Sequence, residues 1–371
     1  MSSGRVDRRA VWAMADLARW QERVEPDRRG PDYLLREIMA AGLDRVVWSV
    51  RQSDDTGELE AAAAFARRRR MTLHARIPVR IGVDRTAVPS AWRYVDRRGE
   101  ADPLRSSLFV ESARQNRIAA ALDAVRQGAE GVVLDFCEFP PHAGYHPDLI
   151  HEYVVTGGPD PRTLALTDDG FRDWCLFRAH YVTEFLYGLR KSLALLERDS
   201  GRRLSLTVRL PEDGLELNLA AGMDVQGWLR HRLADPICVS PLRWLSPGSA
   251  ESAGPYVAAA SETGVGVLGE IGLAPPPKVR ANPVVALQRT RELYACGARG
   301  LMLEGVECAV LDGELRWILS SLSEPKHVNR LLSDQDRVRQ YPVSEANRGY
   351  GVSAESAQPG SAREPFPATE L

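Results

Sequence analysis

The chain has 371 residues, a formal net charge of −2 and 26% charged residues, so no global field draws it to nucleic acid or to an anionic membrane. No apolar core follows the charges of its first nine residues, and no uninterrupted apolar run approaches the ~20 residues of a membrane span. A cytoplasmic protein without a membrane partner is the expectation.

Residues 1–8 read as an amino-terminal arm. From there the chain alternates short apolar runs with amphipathic or Ala/Leu/Arg-rich segments. Strands are predicted near 11–15, 45–50, 72–79, 131–136, 204–209, 236–240, 265–270 and 299–304. Helices are predicted near 31–41, 58–69, 112–127, 168–197, 224–232, 249–262, 283–296 and 313–321. Eight strands with eight helices predict a single (β/α)8 TIM barrel over residues 9–322. No Gly-x-Gly-x-x-Gly follows an early strand, so neither a dinucleotide fold nor a cofactor is expected. Two longer connections, 80–111 with Trp92 and Tyr94 and 139–166 rich in Pro, His and Gly, are candidate walls over a site. The pattern fades after about residue 322, and residues 323–371 read as a polar tail of low order. Arg67 to Arg70 close an Ala-rich helix, where positive charge suits the helix dipole and solvent better than a nucleic-acid role. The five cysteines, Cys137, Cys175, Cys238, Cys296 and Cys308, lack metal-type spacing and read as small buried apolar residues.

Strand phase selects the polar groups that face the barrel axis. Leu73, Ala75 and Ile77 share one face of their strand, which leaves His74 and Arg76 on the other. Leu204, Leu206 and Val208 likewise oppose Arg209, Asp135 is out of phase with Leu134 and Phe136, and Glu270 is out of phase with Gly269. The helix-covered outer face takes the apolar set, so Arg76, Asp135, Arg209, Glu270 and Glu304 are expected to converge inside the carboxyl end of the barrel.

Gly131-Val-Val-Leu-Asp-Phe-Cys-Glu-Phe-Pro140 runs as a buried strand into two carboxylates, Asp135 and Glu138, before a pair of prolines. This segment resembles the fourth-strand signature of the glycosyl hydrolase-like 10 group of (β/α)8 proteins. Leu108 to Arg114, Leu206 to Pro211, and Gly222 to Asp235 with Gly222-Met223-Asp224-Val225 and Trp228 look like further parts of the same pattern in the same order. With the run through Trp48 the resemblance spans roughly residues 9–310. The chain departs from it with Glu138 where the group carries Arg, and with Glu304-Gly305 where its eighth strand ends in a Phe-Asn-like turn. What the resemblance implies is a carbohydrate-active barrel.

Glycosidic cleavage needs one carboxylic acid to protonate the leaving oxygen and one carboxylate to attack or to activate water. Glu138 is the candidate general acid/base, Glu270 the candidate nucleophile or base, and Asp135 a positioning group. Arg209 would hold Asp135 ionised or bind sugar, with Arg76 and Glu304 nearby, and Trp92 and Trp244 would stack on sugar faces. Each has a bland rival: Asp135 and Arg209 as a structural ion pair, Glu138 as a cap, Glu270 as a solvated loop residue, the tryptophans as core. The expected partner is an oligosaccharide or glycoside. A catalytically silent carbohydrate-binding barrel is the alternative, and behind it stands a metal-dependent hydrolase or isomerase using His142, His146 and His151. Their spacing fits no closed zinc pattern, so no metal is expected.

Overall fold

The structure is a computed structural model that describes residues 9–50, 57–79, 88–137, 144–165, 167–241, 253–274 and 282–341. Ten strands are described: β1 Ala10–Ala15, β2 Arg45–Ser49, β3 Thr72–Pro78, β4 Arg93–Val95, β5 Ala101–Ser106, β6 Gly131–Asp135, β7 Ser205–Pro211, β8 Ile237–Ser240, β9 Val267–Gly272 and β10 Gly300–Glu304. All but β4 and β5 form one closed parallel barrel in the order β1-β10-β9-β8-β7-β6-β3-β2. The expected barrel is therefore present, and its strand boundaries fall within two residues or so of those read from periodicity. Closure runs from Ala10 opposite Gly300 to Met14 opposite Glu304. Gly300 is required there, because a Cβ would stand 2.3 Å from the Ala10 carbonyl oxygen.

The outer layer begins with α1 Leu17–Gln21, α2 Pro31–Ala40, α3 Glu58–Arg69, α4 Glu111–Arg126, α5 Pro147–Val155 and α6 Asp169–Ser200. It continues with α7 Leu215–Ala220, α8 Val225–Arg230, α9 Gly254–Ser261, α10 Pro283–Ala295, α11 Val306–Ala309 and α12 Gly313–Leu319. Side-chain caps start several of them: Asp312 Oδ1 accepts from the Glu314 and Leu315 amides at 2.7 and 3.2 Å, and Asn282 Oδ1 accepts from the Val284 amide at 3.0 Å. No helix among the described residues is long and apolar enough to cross a membrane.

Alternation sorts the strands into two cores. Outward residues such as Val11, Val46, Leu73, Val132, Leu206, Val239 and Leu301 join the helices in one large cluster. Trp12, Met14, Val47, Val133, Cys238, Leu268 and Met302 fill the barrel interior as another. His74 stacks on Trp12 there, with ring centroids 4.5 Å apart. Burial first, then the charge of Arg45, lowers the His74 pKa to about 4, so the imidazole is neutral and serves as packing.

Three stretches differ from the sequence expectation. The connection at 80–111 contains an antiparallel hairpin, β4 with β5. The connection at 139–166 contains α5, which packs Tyr153 against Trp174 of α6 at 5.1 Å between centroids. Beyond residue 322 the chain forms two more helices, α13 Pro325–Ser333 and α14 Gln335–Gln340. Val328 is fully buried, α13 packs on α10, and the Ser323 carbonyl accepts from the Arg9 amide at 2.8 Å, so ordered structure on the barrel continues past the boundary expected for the tail. Residues 342–371 lie outside the described residues.

Candidate active site at the barrel mouth

Strand alternation delivers Arg76, Asp135, Arg209 and Glu270 to the inside of the barrel at its carboxyl end, from β3, β6, β7 and β9. They meet there. Arg209 grips Glu270 with two nitrogens, Nε to Oε2 at 2.5 Å and Nη2 to Oε1 at 2.7 Å. Its third nitrogen, Nη1, donates to Asp135 Oδ2 at 2.8 Å, and Asp135 is its partner in the β6–β7 register. Arg76 adds Nε to the same Asp135 oxygen at 2.6 Å and reaches Ser49 Oγ at 3.5 Å. The other Asp135 oxygen accepts from the Cys137 amide at 3.0 Å, and the Ser240 hydroxyl donates to Glu270 Oε1 at 2.8 Å.

Arg209 and Glu270 have 1% and 0% of their surface exposed, so these contacts operate in low dielectric. Burial works against the Arg209 charge, and the two carboxylates outweigh it, so its pKa lies well above the ordinary guanidinium value. The same burial pushes the thiols of Cys137 and Cys238, which flank the cluster, well up. Neither is a nucleophile near neutral pH.

A second group of acids stands where β10 ends and β1 passes into α1. Arg19 of α1 donates from Nη1 to Glu304 Oε1 at 2.8 Å and lies 3.5 Å from Glu307 Oε1. Glu307 Oε2 accepts from the Asp16 amide at 3.4 Å, and Asp16 caps α1 through the Ala18 and Arg19 amides at 3.0 and 3.3 Å. Burial first, then the charge of Glu304, pushes Glu307 up to about 8. A carboxylic acid that carries its proton at neutral pH beside a second carboxylate is suited to proton transfer. Sequence reading missed Arg19 and Glu307, because α1 and α11 hold five and four residues, too few to show a helical period.

A further strand-end acid, Glu212 past β7, is taken up structurally: Arg289 Nη2 holds its two oxygens at 2.8 and 2.7 Å. Glu138, Trp244 and His142 lie outside the described residues. Trp92 stands half-buried in a 3-10 turn, Ser90–Trp92, that leads into β4, and among the described residues no hydrogen bond or ring contact joins it to the ion-pair cluster. His146 reaches the Arg93 carbonyl at 2.9 Å, which ties the start of α5 to the hairpin, and burial lowers its pKa. His151 is exposed on α5. Among the described residues no group of three or more His, Cys, Asp or Glu side chains could hold a metal ion.

No family model matches the chain, and no curated protein matches it. Solved structures do. A glycoside hydrolase family 18 N-acetylglucosaminidase from Paenibacillus barengoltzii is similar at a TM-score of 0.47 and 12% identity, over 85% of this chain and 99% of that one. The glycoside hydrolase domain of PelA from Pseudomonas aeruginosa gives 0.41 and 15%, over 80% and 95%. An archaeal fructose 1,6-bisphosphate aldolase gives 0.42 and 15%, over 85% and 94%. Hydrolases and an aldolase stand together here because one barrel hosts many chemistries, and likeness at this level carries no argument about reaction or substrate.

Proposed function

We propose that the protein is a glycoside hydrolase-like barrel acting on an oligosaccharide or glycoside at its carboxyl-terminal mouth. Glu270 is the nucleophile or base, Glu138 the general acid/base and Asp135 a positioning group. The observation that supports this is the two-nitrogen grip of Arg209 on Glu270 at the end of β9. An ion pair of that geometry fixes the plane of the carboxylate, which an attacking or water-activating group needs. Glu138 would protonate the departing glycosidic oxygen as Glu270 attacks the anomeric carbon or draws a proton from water. Arg76, at the edge of the cluster with 8% of its surface exposed, would contact the sugar, together with Trp92, Trp244 and Glu304.

A catalytically silent carbohydrate-binding barrel is the second reading. It is favoured by the complete burial of Glu270, both of whose oxygens already accept hydrogen bonds. One experiment separates the two. The purified protein is screened for hydrolysis and for binding against a panel of aryl glycosides and oligosaccharides, alongside Glu138→Gln and Glu270→Gln. The proposal expects turnover to fall by ~10²–10⁴-fold in each variant while sugar affinity persists. Wild-type turnover in both variants would defeat the assignment, and binding without hydrolysis by the parent would favour the silent barrel.

A further inference from the structure

Arg67 stands in the last turn of α3, and Arg202 and Arg203 lie between α6 and β7. Though distant in sequence, they line one cleft of about 330 Å³. The cleft lies at the amino-terminal ends of β6 and β7, on the face of the barrel opposite the mouth. Carboxyl ends of helices meet on that face, and their carbonyls attract cations. Arg202 already serves such carbonyls. Its Nη2 donates to the Ala129 carbonyl at 2.9 Å and to the Gly128 carbonyl at 3.5 Å, just past the end of α4. Arg67 and Arg203 are exposed and have no hydrogen-bond or ion-pair partner among the described residues.

The cleft depends on a glycine. Gly128 has φ +114, a conformation that side-chain-bearing residues avoid, and a Cβ there would stand 3.0 Å from Ala63 Cβ and 3.1 Å from Arg67 Nη2. Any other residue would intrude on the cleft and push the guanidinium aside. Glu130 adds one carboxylate to the lining, so three guanidiniums face a single negative charge.

We infer that this cleft binds a small oxyanion of charge near −2, of the phosphate or phosphate-monoester class. Two guanidiniums without partners can each take a pair of oxygens from a tetrahedral dianion, whereas a monocarboxylate offers only one such edge. Arg202, held by the backbone carbonyls, contributes fixed background charge. The site is far from the mouth, so its occupant would bridge α3 to the α6–β7 connection and would not take part in chemistry.

Isothermal titration of the full chain at low ionic strength tests this, with inorganic phosphate and glycerol phosphate as separate probes and a short single-stranded oligonucleotide as a third. Saturable binding of phosphate or its monoester is expected, and the stronger of the two identifies the source. Arg67→Gln with Arg203→Gln should weaken binding by at least ~10-fold, as expected for lost charge-assisted contacts. Glu130→Gln should tighten it, and added salt should weaken it. All three side chains are exposed, so the variants should melt as the parent does. Equal affinity in parent and double variant, or no saturable binding of either small anion, overturns the inference. Arginine-dependent binding of the oligonucleotide alone also overturns it, in favour of a nucleic-acid surface.

Discussion

Among the described residues two guanidiniums meet two carboxylates where β3, β6, β7 and β9 end, whereas beside β10 and β1 the Arg19 guanidinium meets Asp16, Glu304 and Glu307. Both groups sit at the carboxyl end of the same barrel, and the acids Glu270 and Glu307 are equally buried, each with 0% of its surface exposed. Burial alone therefore does not decide what becomes of an acid at this mouth. Glu270 accepts from two nitrogens of Arg209 and from the Ser240 hydroxyl. Glu307 has a backbone amide at 3.4 Å, the Cys308 thiol at 3.9 Å and, at 3.5 Å, the same Arg19 nitrogen that Glu304 already holds, and the shortfall is met by a proton.

Removing the cation from the balanced group should have the largest effect. Among the described residues Arg209→Met leaves Asp135 with Arg76 and the Cys137 amide, and Glu270 with the Ser240 hydroxyl, and breaking a buried pair of this kind costs ~3–5 kcal/mol. Denaturant midpoints at neutral pH give the number. A loss below about 1 kcal/mol would mean that water solvates Glu270 in the variant and that the cluster is less dry than its burial implies.

That Arg209 would lie against Asp135 is legible in the sequence, because a period of two on a strand buried on both faces leaves a charged residue one place to go. The same period carries Arg76 and Glu270 to the cluster. Arg19 and Glu307 are not legible. An acid in the first turn of a short helix reads as solvated, and only closure of β1 against β10 brings α11 over α1 and buries it. The hairpin is hidden for a related reason: β4 is three residues long, and β5 contains Pro103, which reads against a strand yet is tolerated in a two-stranded ribbon. In α13 the fully buried Val328 and the partly buried Leu331 and Leu332 anchor the helix on the core, and three apolar residues among Lys, His, Asn, Arg and Ser are too few to show a helical period in the sequence.

The proton on Glu307 gives the next largest effect, and its sign follows from linkage. The folded pKa of about 8 lies above the ordinary value of 4.5, so between these pH values the folded chain holds a proton that the unfolded chain has released. Stability is thus greatest below the unfolded pKa and falls as pH rises through the folded one. A shift of that size corresponds to on the order of 5 kcal/mol across the window, at ~1.4 kcal/mol per unit. Chemical denaturation at pH 5 and pH 9 measures it, with Glu307→Gln as control. The variant should lose most of the difference and should be the more stable protein at pH 9. An unchanged pH profile would place the proton elsewhere.

The smallest effect tests the contrast directly. Arg19→Met removes a cation that Asp16, Glu304 and Glu307 share, yet at neutral pH Glu307 is already protonated and adds no charge to those the change exposes. Arg19 also keeps 22% of its side chain exposed, so solvent screens part of what it supplies. The cost should be ~1–2 kcal/mol at pH 7, well below that of Arg209→Met, and it should grow as pH rises past 8 and Glu307 takes on its charge beside Glu304. Equal costs for the two arginine variants at pH 7 would show that both groups carry the same net charge, and the distinction between a mouth held by ion pairs and a mouth held by a proton would fail.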